Sequence, residues 1–224
     1  MSGLIKRTRA FIAAPPVPFL VTERTAKYVR SLIDSMPENA TILNVGAGYT
    51  DYGERVTNID IFDSGTTDII ASALELPLAD ECADLVILQG VLEHVRDADK
   101  TFQECVRVMK KGSLFYTEMP FMQPYHESPI DFRRCTELGL GEFCQPLEKV
   151  ETGIHIGPAS TIAWILREFL AILISGGKPE PYRIANTLIG WVVFPLKYAD
   201  HWLEKNPYFH RIASSFYYLG KKTD

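Results

Sequence analysis

A glycine pair and an isolated aspartate are the first residues in this chain whose types and spacing could bind a ligand. Gly46-Ala47-Gly48 follows the apolar run Thr41–Val45, and Asp60 follows the apolar run Val56–Ile59. Glycines after a buried strand let the backbone approach a ligand closely, and a carboxylate ending the next strand can accept both ribose hydroxyls. This order favours a nucleoside-like ligand; a structural turn and a solvated or helix-capping aspartate are the alternatives.

The loop after the glycines argues against a dinucleotide. The dinucleotide fingerprint needs a third glycine at position 51, where this chain has Asp51, and Glu54 adds a second acid. Two carboxylates would serve a diphosphate poorly, because the charges repel. A ligand without phosphate that carries a positive charge suits this loop better.

A polar, aromatic loop at 119–136 carries the second group of chemically capable side chains: His126, Asp131, Arg133 and Arg134. Histidine is the usual general base near neutral pH, so His126 is the candidate base. Asp131 could orient it or bind a hydroxyl group, and either arginine could bind an anionic group. The alternative is a structural Asp131–Arg133 ion pair with His126 only packing. His155 is a weaker candidate base.

Short apolar runs separated by helices or long loops must position these residues. They predict strands at Thr41–Val45, Val56–Ile59, Asp68–Ala71, Asp84–Leu88, Leu114–Met119 and 150–157. Helical spacing predicts helices at 22–36 and 98–109, the second ended by Lys110-Lys111-Gly112. This alternation is typical of an α/β doubly wound sheet, in which ligands bind at the carboxyl ends of the strands.

Composition excludes several classes of protein. The 224 residues carry a net charge of −5, which is unlike a dedicated nucleic-acid binder, and 46% are hydrophobic, which is ample for a core. Four cysteines without metal-ligand spacing predict reduced thiols in a cytoplasmic protein. The first 20 residues have an apolar run too short for a secretory signal, broken by prolines, and we interpret them as a mobile or surface-packed arm.

Four ordered motifs resemble class I S-adenosylmethionine-dependent methyltransferases of the type 11 kind. They are Ile42–Gly48 with the later Asp60, Leu76–Val86 (LPLADECADLV), Gly90–Val95 (GVLEHV) followed by Asp97, and Glu104–Gly112 (ECVRVMKKG). The resemblance covers about residues 40 to 157. It implies a Rossmann-like, seven-stranded sheet with an antiparallel last strand, and here a helical insertion before that strand.

The resemblance also implies a cofactor, S-adenosyl-L-methionine, and the residues that bind it. The glycines would pass under its methionine part, Asp60 would bind its ribose, and the side chain after Asp60 would pack on its adenine. The full implied set is Asn44, Gly46, Ala47, Gly48, Asp60, Ile61, Ala73, Leu74 and Gln89.

The chain departs from the family pattern at three positions. Asn44 replaces the usual acid, Thr50 a glycine, and Ser72 an aspartate. These changes motivate one alternative, a non-catalytic member that serves as a binding or scaffold subunit.

No metal is expected. Metal-dependent relatives use an E-x-x-E-H box, and in this chain Gly90 occupies the position of its first acid. Only Glu93 and His94 remain, and we expect them to cap or pack at the start of the next helix.

The 119–136 loop resembles that of methyltransferases often associated with sugar and polysaccharide genes. We therefore expect O-methylation of a saccharide or other small hydroxylated acceptor. A lipid-linked saccharide is one form that this acceptor could take. A carbon methyltransferase acting on a quinone or lipid-like acceptor is the enzymatic alternative.

The segment 158–212 is more apolar than a surface should be. A packed lid, a homo-oligomer interface and peripheral contact with the inner face of the membrane are the three interpretations, and no segment is expected to span a bilayer. We expect one domain over 1–224: an arm and helix (1–40), a cofactor core (41–157), the insertion (158–212) and a terminal strand (213–224).

Overall fold

The computed structural model describes residues 19–22, 25, 27–126 and 130–223. Residues 1–18 of the expected arm and residues 23, 24 and 26 of the expected N-terminal helix lie outside them. The chain divides into two compact units. The sheet unit comprises Glu23–Phe121, Tyr125–His155 and Ser215–Asp224; the helical unit comprises Met1–Thr22, Met122–Pro124 and Ile156–Ser214. The helical unit falls close to the expected insertion, and a single domain over 1–224 stays a prediction.

One mixed sheet of seven strands organises the sheet unit, in the order β3-β2-β1-β4-β5-β7-β6. The pairs β1–β2, β1–β4, β2–β3 and β4–β5 are parallel, whereas β7 runs antiparallel to β5. This confirms the expected Rossmann-like fold. The strands are β1 (Ile42–Val45), β2 (Val56–Asp60), β3 (Ile69–Ile70), β4 (Ala83–Leu88), β5 (Met109–Pro120), β6 (Glu148–Ile156) and β7 (Ser215–Lys221).

The described helices of the sheet unit are α1 (Tyr28–Ser35), α2 (Ala98–Val108) and α3 (Glu137–Phe143). Strand β1 is buried at every residue, as expected for a strand that is covered on both faces. Helix α1 buries Val29 and Ile33 against a cluster that includes Leu85 and Tyr116. Helix α2 begins where the side chain of Asp97 accepts a hydrogen bond from the Lys100 N–H at 3.0 Å.

Two expected boundaries are wrong. Helix α2 ends at Val108 and β5 begins at Met109, so Lys110-Lys111-Gly112 is not a helix stop. Met109 pairs with Ala83 and Leu114 with Leu85, so the intervening residues form an irregularity in which Gly112 has φ +81°. The second error concerns Glu93 and His94, which lie in a turn because α2 begins only at Ala98.

The helical unit contains α4 (Pro158–Ser175), α5 (Pro179–Val193) and α6 (Asp200–Leu203), with 3₁₀ turns at Phe194–Ala199 and Phe209–Ile212. By length and composition alone, α4 is long and apolar enough to cross a membrane, contrary to the expectation that no segment is. A core helix of a soluble protein meets the same criteria, and 44% of α4 is buried.

Candidate functional site

A cavity of about 440 Å³ lies at the carboxyl ends of the central parallel strands. Strand order reverses between β1 and β4, which is where doubly wound sheets bind ligands. Six of the nine predicted cofactor residues line the cavity: Gly46, Gly48, Asp60, Ile61, Ala73 and Leu74. Other lining residues include Tyr49, Phe62, Ser72, Val91 and His94.

The backbone of the glycine loop follows from residue type. Gly46 has φ +70°, and a Cβ added there would overlap Cγ2 of Val91, so a larger residue is excluded on two grounds. Gly48 has φ +56° and its N–H donates to Oδ2 of Asp60 at 2.8 Å. Asp60 is buried, and each of its carboxylate oxygens can accept more than one hydrogen bond. The carboxylate can therefore hold the loop and still accept from a ligand.

The three remaining predicted cofactor residues do not line the cavity. Ala47 is buried, and the amide of Asn44 donates to Oδ1 of Asn58 at 3.0 Å. Gln89 is engaged by Tyr52 and by Glu118. Asn44 therefore connects neighbouring strands.

The loop at 130–135 is attached to the turn that follows β4. Nδ1 of His94 lies 2.8 Å from the carbonyl oxygen of Ile130, and the N–H of Phe132 donates to the Glu93 carbonyl at 2.7 Å. The Arg133 guanidinium donates to the Arg96 carbonyl at 2.8 Å. These contacts fix the expected acceptor loop beside a turn that contributes His94 to the cavity wall.

His126 and Asp131 come together as the sequence suggested, but their cationic partner is Arg134. The backbone N–H of His126 donates to Oδ2 of Asp131 at 2.9 Å, and Nδ1 of His126 lies 3.4 Å from the same oxygen. Arg134 binds both carboxylate oxygens, so the alternative of a structural Asp131–Arg133 ion pair is wrong in its arginine. Burial alone would raise the pKa of Asp131, but the hydrogen bonds from Arg134 and His126 outweigh it and hold the pKa below its usual range.

Glu93, His94 and His126 each offer a ligand atom within 4.8 Å of the others. One carboxylate and two imidazoles could supply three ligands to a borderline divalent cation such as Zn²⁺. Burial raises the pKa of Glu93 to about 7, and its Oε2 atom has no hydrogen-bond partner among the described residues. The expectation that the protein uses no metal stays a prediction.

Sequence reasoning missed a second polar cluster, which surrounds Glu118 in β5. Its Oε1 atom accepts from the Tyr116 hydroxyl at 2.7 Å and from Nε2 of Gln89 at 2.8 Å, while Oε2 lies 3.3 Å from Nε2 of His155. Burial, followed by the charge of Glu118, raises the pKa of Tyr52, which donates to Gln89, to about 12. The sequence did carry a signal, namely Glu118 inside a largely apolar strand. Carboxylates are almost never fully buried without a partner, so this position indicates polar groups around it.

Comparison with known proteins shows what this part of the chain resembles. Residues 43–117 match the family described as a methyltransferase domain. Over this stretch the chain is similar to S-adenosylmethionine-dependent methyltransferases. The match spans β1 to β5 and includes both glycines and Asp60.

Two curated relatives agree with this family. A protein of Mycolicibacterium smegmatis named "Probable S-adenosylmethionine-dependent methyltransferase" is 28% identical over 126 residues, covering 55% of this chain and 44% of the relative. A protein of Parasynechococcus marenigrum named "Dimethylglycine N-methyltransferase" is 27% identical, covering 46% of this chain and 49% of the relative. The chain spans about half the length of the curated relatives it matches.

A solved structure supports the fold. A SAM-dependent methyltransferase from Archaeoglobus fulgidus has a TM-score of 0.55 and 16% identity, covering 89% of this chain and 94% of that one. S-adenosyl-L-methionine is the methyl donor of this domain family. The residues present fit it, because Gly46 leaves room at the loop, Asp60 offers a carboxylate, and Ile61 and Leu74 offer apolar side chains.

Proposed function

We propose that the protein transfers the methyl group of S-adenosyl-L-methionine to an oxygen atom of a small hydroxylated acceptor, either a saccharide or a lipid-linked saccharide. The observation that carries this proposal is the position of His126. His94 lines the cofactor cavity, and the ring of His126 packs edge-on against it with centroids 5.1 Å apart. The ring of His94 therefore lies between the candidate base and the cavity proposed to hold the methyl donor. The saccharide class rests on the resemblance of the 119–136 loop.

In this proposal several residues of the 119–136 loop have separate roles in methyl transfer. When bound, the cofactor supplies a methyl group activated by a sulfonium, so the protein mainly aligns the reactants and excludes water. His126 takes the proton of the attacking hydroxyl, and Asp131 holds His126 in place. Arg134 keeps Asp131 ionised, and Arg133 fixes the loop through the Arg96 carbonyl.

N-methylation of an amine is a second candidate, and a specific observation favours it. The buried Glu118 carboxylate, surrounded by Tyr116 and Gln89, is an anionic site suited to a cationic or amine-bearing acceptor. One relative is itself named as an N-methyltransferase. A screen of hydroxylated and amine acceptors with radiolabelled donor distinguishes the two candidates by the bond that carries the label.

Calorimetric titration with S-adenosylmethionine and S-adenosylhomocysteine, with NAD as the control, tests the cofactor site. We expect micromolar binding of both adenosyl ligands, on the order of −8 kcal/mol, and none of NAD. Absence of both would favour the scaffold alternative suggested by Asn44, Thr50 and Ser72.

A matched pair of glycine variants sharpens this test. Gly46→Ala should abolish binding, because the new Cβ would overlap Val91. Gly53→Ala, with φ +95° and nothing within 4 Å of an added Cβ, carries backbone strain of about 1 kcal/mol and should still bind. Equal affinities for the two variants would contradict the role of Gly46.

A further inference from the structure

The helices α4 and α5 present their large apolar side chains to the outside. Phe169, Ile172 and Leu173 on α4 are more than half exposed, and so are Ile184, Leu188 and Val192 on α5. Residues spaced by three and four share one face of a helix, so each helix carries a continuous apolar stripe. Exposed apolar patches of this kind mark protein or membrane contact sites.

The buried side chains of α4 are small or polar instead. Helix α4 buries Ala163, Arg167 and Ala171. Glu168 accepts hydrogen bonds from the Tyr182 hydroxyl and from Nδ2 of Asn186 on α5. This distribution, with large apolar groups outside and small and polar groups inside, is the reverse of a water-soluble helix pair and is typical of helices in a lipid environment.

Charge indicates which surface covers the stripes. Among the described residues of the helical unit, six Lys and Arg stand against four Asp and Glu, a net charge of +2. Arg167 and Asp200 are buried, whereas Lys178, Arg183, Lys205 and Arg211 are exposed. The described residues of the sheet unit contain thirteen against twenty-one, a net charge of −8. An apolar surface with exposed cations beside it complements an anionic bilayer, because each Lys or Arg near the headgroups adds electrostatic attraction.

Aromatic and cationic groups support the same partner. Trp202 is 81% exposed, and Nζ of Lys197 lies 5.4 Å from the ring centre of Tyr198. Trp, Tyr and Lys are the side chains that settle at the boundary between headgroups and acyl chains. The buried Arg167 near the middle of α4 favours a helix lying in the interface over one that crosses the bilayer.

We propose that the apolar stripes of α4 and α5 dock on the surface of an anionic phospholipid bilayer. Four free cysteine thiols fit a reducing compartment, so the membrane face would be the cytoplasmic one. This inference goes beyond the proposed function, since docking does not depend on which acceptor is methylated.

Co-sedimentation of the full chain with vesicles of phosphatidylcholine alone, or with 30% phosphatidylglycerol added, tests the proposal. We expect binding to the anionic vesicles that weakens with salt, and much weaker binding to neutral ones. The double variant Leu173→Glu, Val192→Glu should bind the anionic vesicles at least about tenfold more weakly than the wild type, because it places negative charges on the stripes. The matched control is Leu138→Glu, which alters an 83% exposed leucine of the sheet unit and should bind like the wild type.

Absence of wild-type binding to either vesicle would overturn the proposal, as would unchanged binding of the double variant. A stable dimer without lipid that the double variant dissociates would also overturn it, since a second copy would then cover the stripes. Circular dichroism verifies that the variants fold. Calorimetry with S-adenosylhomocysteine should give wild-type affinity for the double variant, so failure of docking and failure of the cofactor site are distinguishable.

Discussion

At the scale of single residues, the orientation of His126 depends on backbone and side-chain contacts together. The backbone N–H of His126 donates to the carboxylate of Asp131, and the guanidinium of Arg134 binds the same carboxylate. Arg134 also approaches Nδ1 of His126 to 3.4 Å. The ring is therefore held by a charged pair whose members lie within eight residues of it.

Replacement of His126 tests the assignment of the base. His126→Ala should lower kcat by 10²- to 10⁴-fold, roughly the contribution of general-base catalysis, while S-adenosylhomocysteine affinity stays unchanged. His155→Ala removes the weaker candidate, and His201→Ala controls for loss of an exposed histidine. If His126→Ala kept full turnover and His155→Ala lost it, the general base would be His155, which lies beside Glu118.

Glu93 makes stability depend on pH. Burial raises its folded pKa to about 7 from an ordinary value of 4.5, so the folded state holds more protons than the unfolded state between these values. The free energy of unfolding should therefore fall as pH rises from about 4.5 to 7 and level off above. Relative to Glu93→Gln, the wild type should lose about 3 kcal/mol between pH 5 and pH 8.

Urea unfolding at both pH values measures this difference. Glu142→Gln, which alters an exposed carboxylate of α3, should leave the wild-type pH profile unchanged. Parallel profiles for the wild type and Glu93→Gln would show that Glu93 titrates normally.

At the scale of elements, a distant carboxylate holds the start of α4. Asp200 of α6 is buried and accepts from the N–H groups of Ala159 and Ser160 at 2.8 and 2.9 Å and from the Ser160 hydroxyl at 2.6 Å. Gly157 precedes the helix, and a Cβ there would overlap Asp200 and Phe209. The cap therefore fixes the first turn of α4 against α6 within the helical unit.

Asp200→Ala should lower the free energy of unfolding by about 2–4 kcal/mol, because it leaves buried donors at a helix N-terminus unsatisfied. Glu180→Ala is the matched control, since that acid lies in the first turn of α5 but its side chain is 72% exposed. Its effect should stay within about 0.5 kcal/mol. Similar losses in both variants, measured by urea unfolding, would mean that the Asp200 contacts contribute little.

At the scale of the whole molecule, the question is whether any group besides the methyl donor is required. The cluster of Glu93, His94 and His126 has one carboxylate, and the raised pKa of Glu93 leaves that group partly protonated near neutral pH. A cation would have to displace this proton, which weakens binding.

Methyl transfer by the purified protein should therefore survive dialysis against a chelator unchanged. Metal content measured by mass spectrometry should be well below one ion per chain. Loss of turnover after chelation, restored by Zn²⁺ but not by Mg²⁺, would make these three side chains metal ligands.

The local sequence was enough to predict the strands, the glycine loop and the resemblance to methyltransferases. Apolar runs bounded by turn residues depend on local periodicity, and Gly46 and Gly48 are required by their own positive φ angles. The motif from Leu76 to Val86 likewise lies in consecutive residues. These features need no knowledge of long-range packing.

Which polar groups come into contact depends on the tertiary structure. Glu118 reaches Gln89 and His155, and Asp200 reaches Ser160, across 29 or more residues of chain. Such pairs depend on how the strands and helices pack, which no local pattern encodes. The same holds for the stripes of α4 and α5, because composition shows that a helix is apolar, whereas packing alone determines which of its faces is buried.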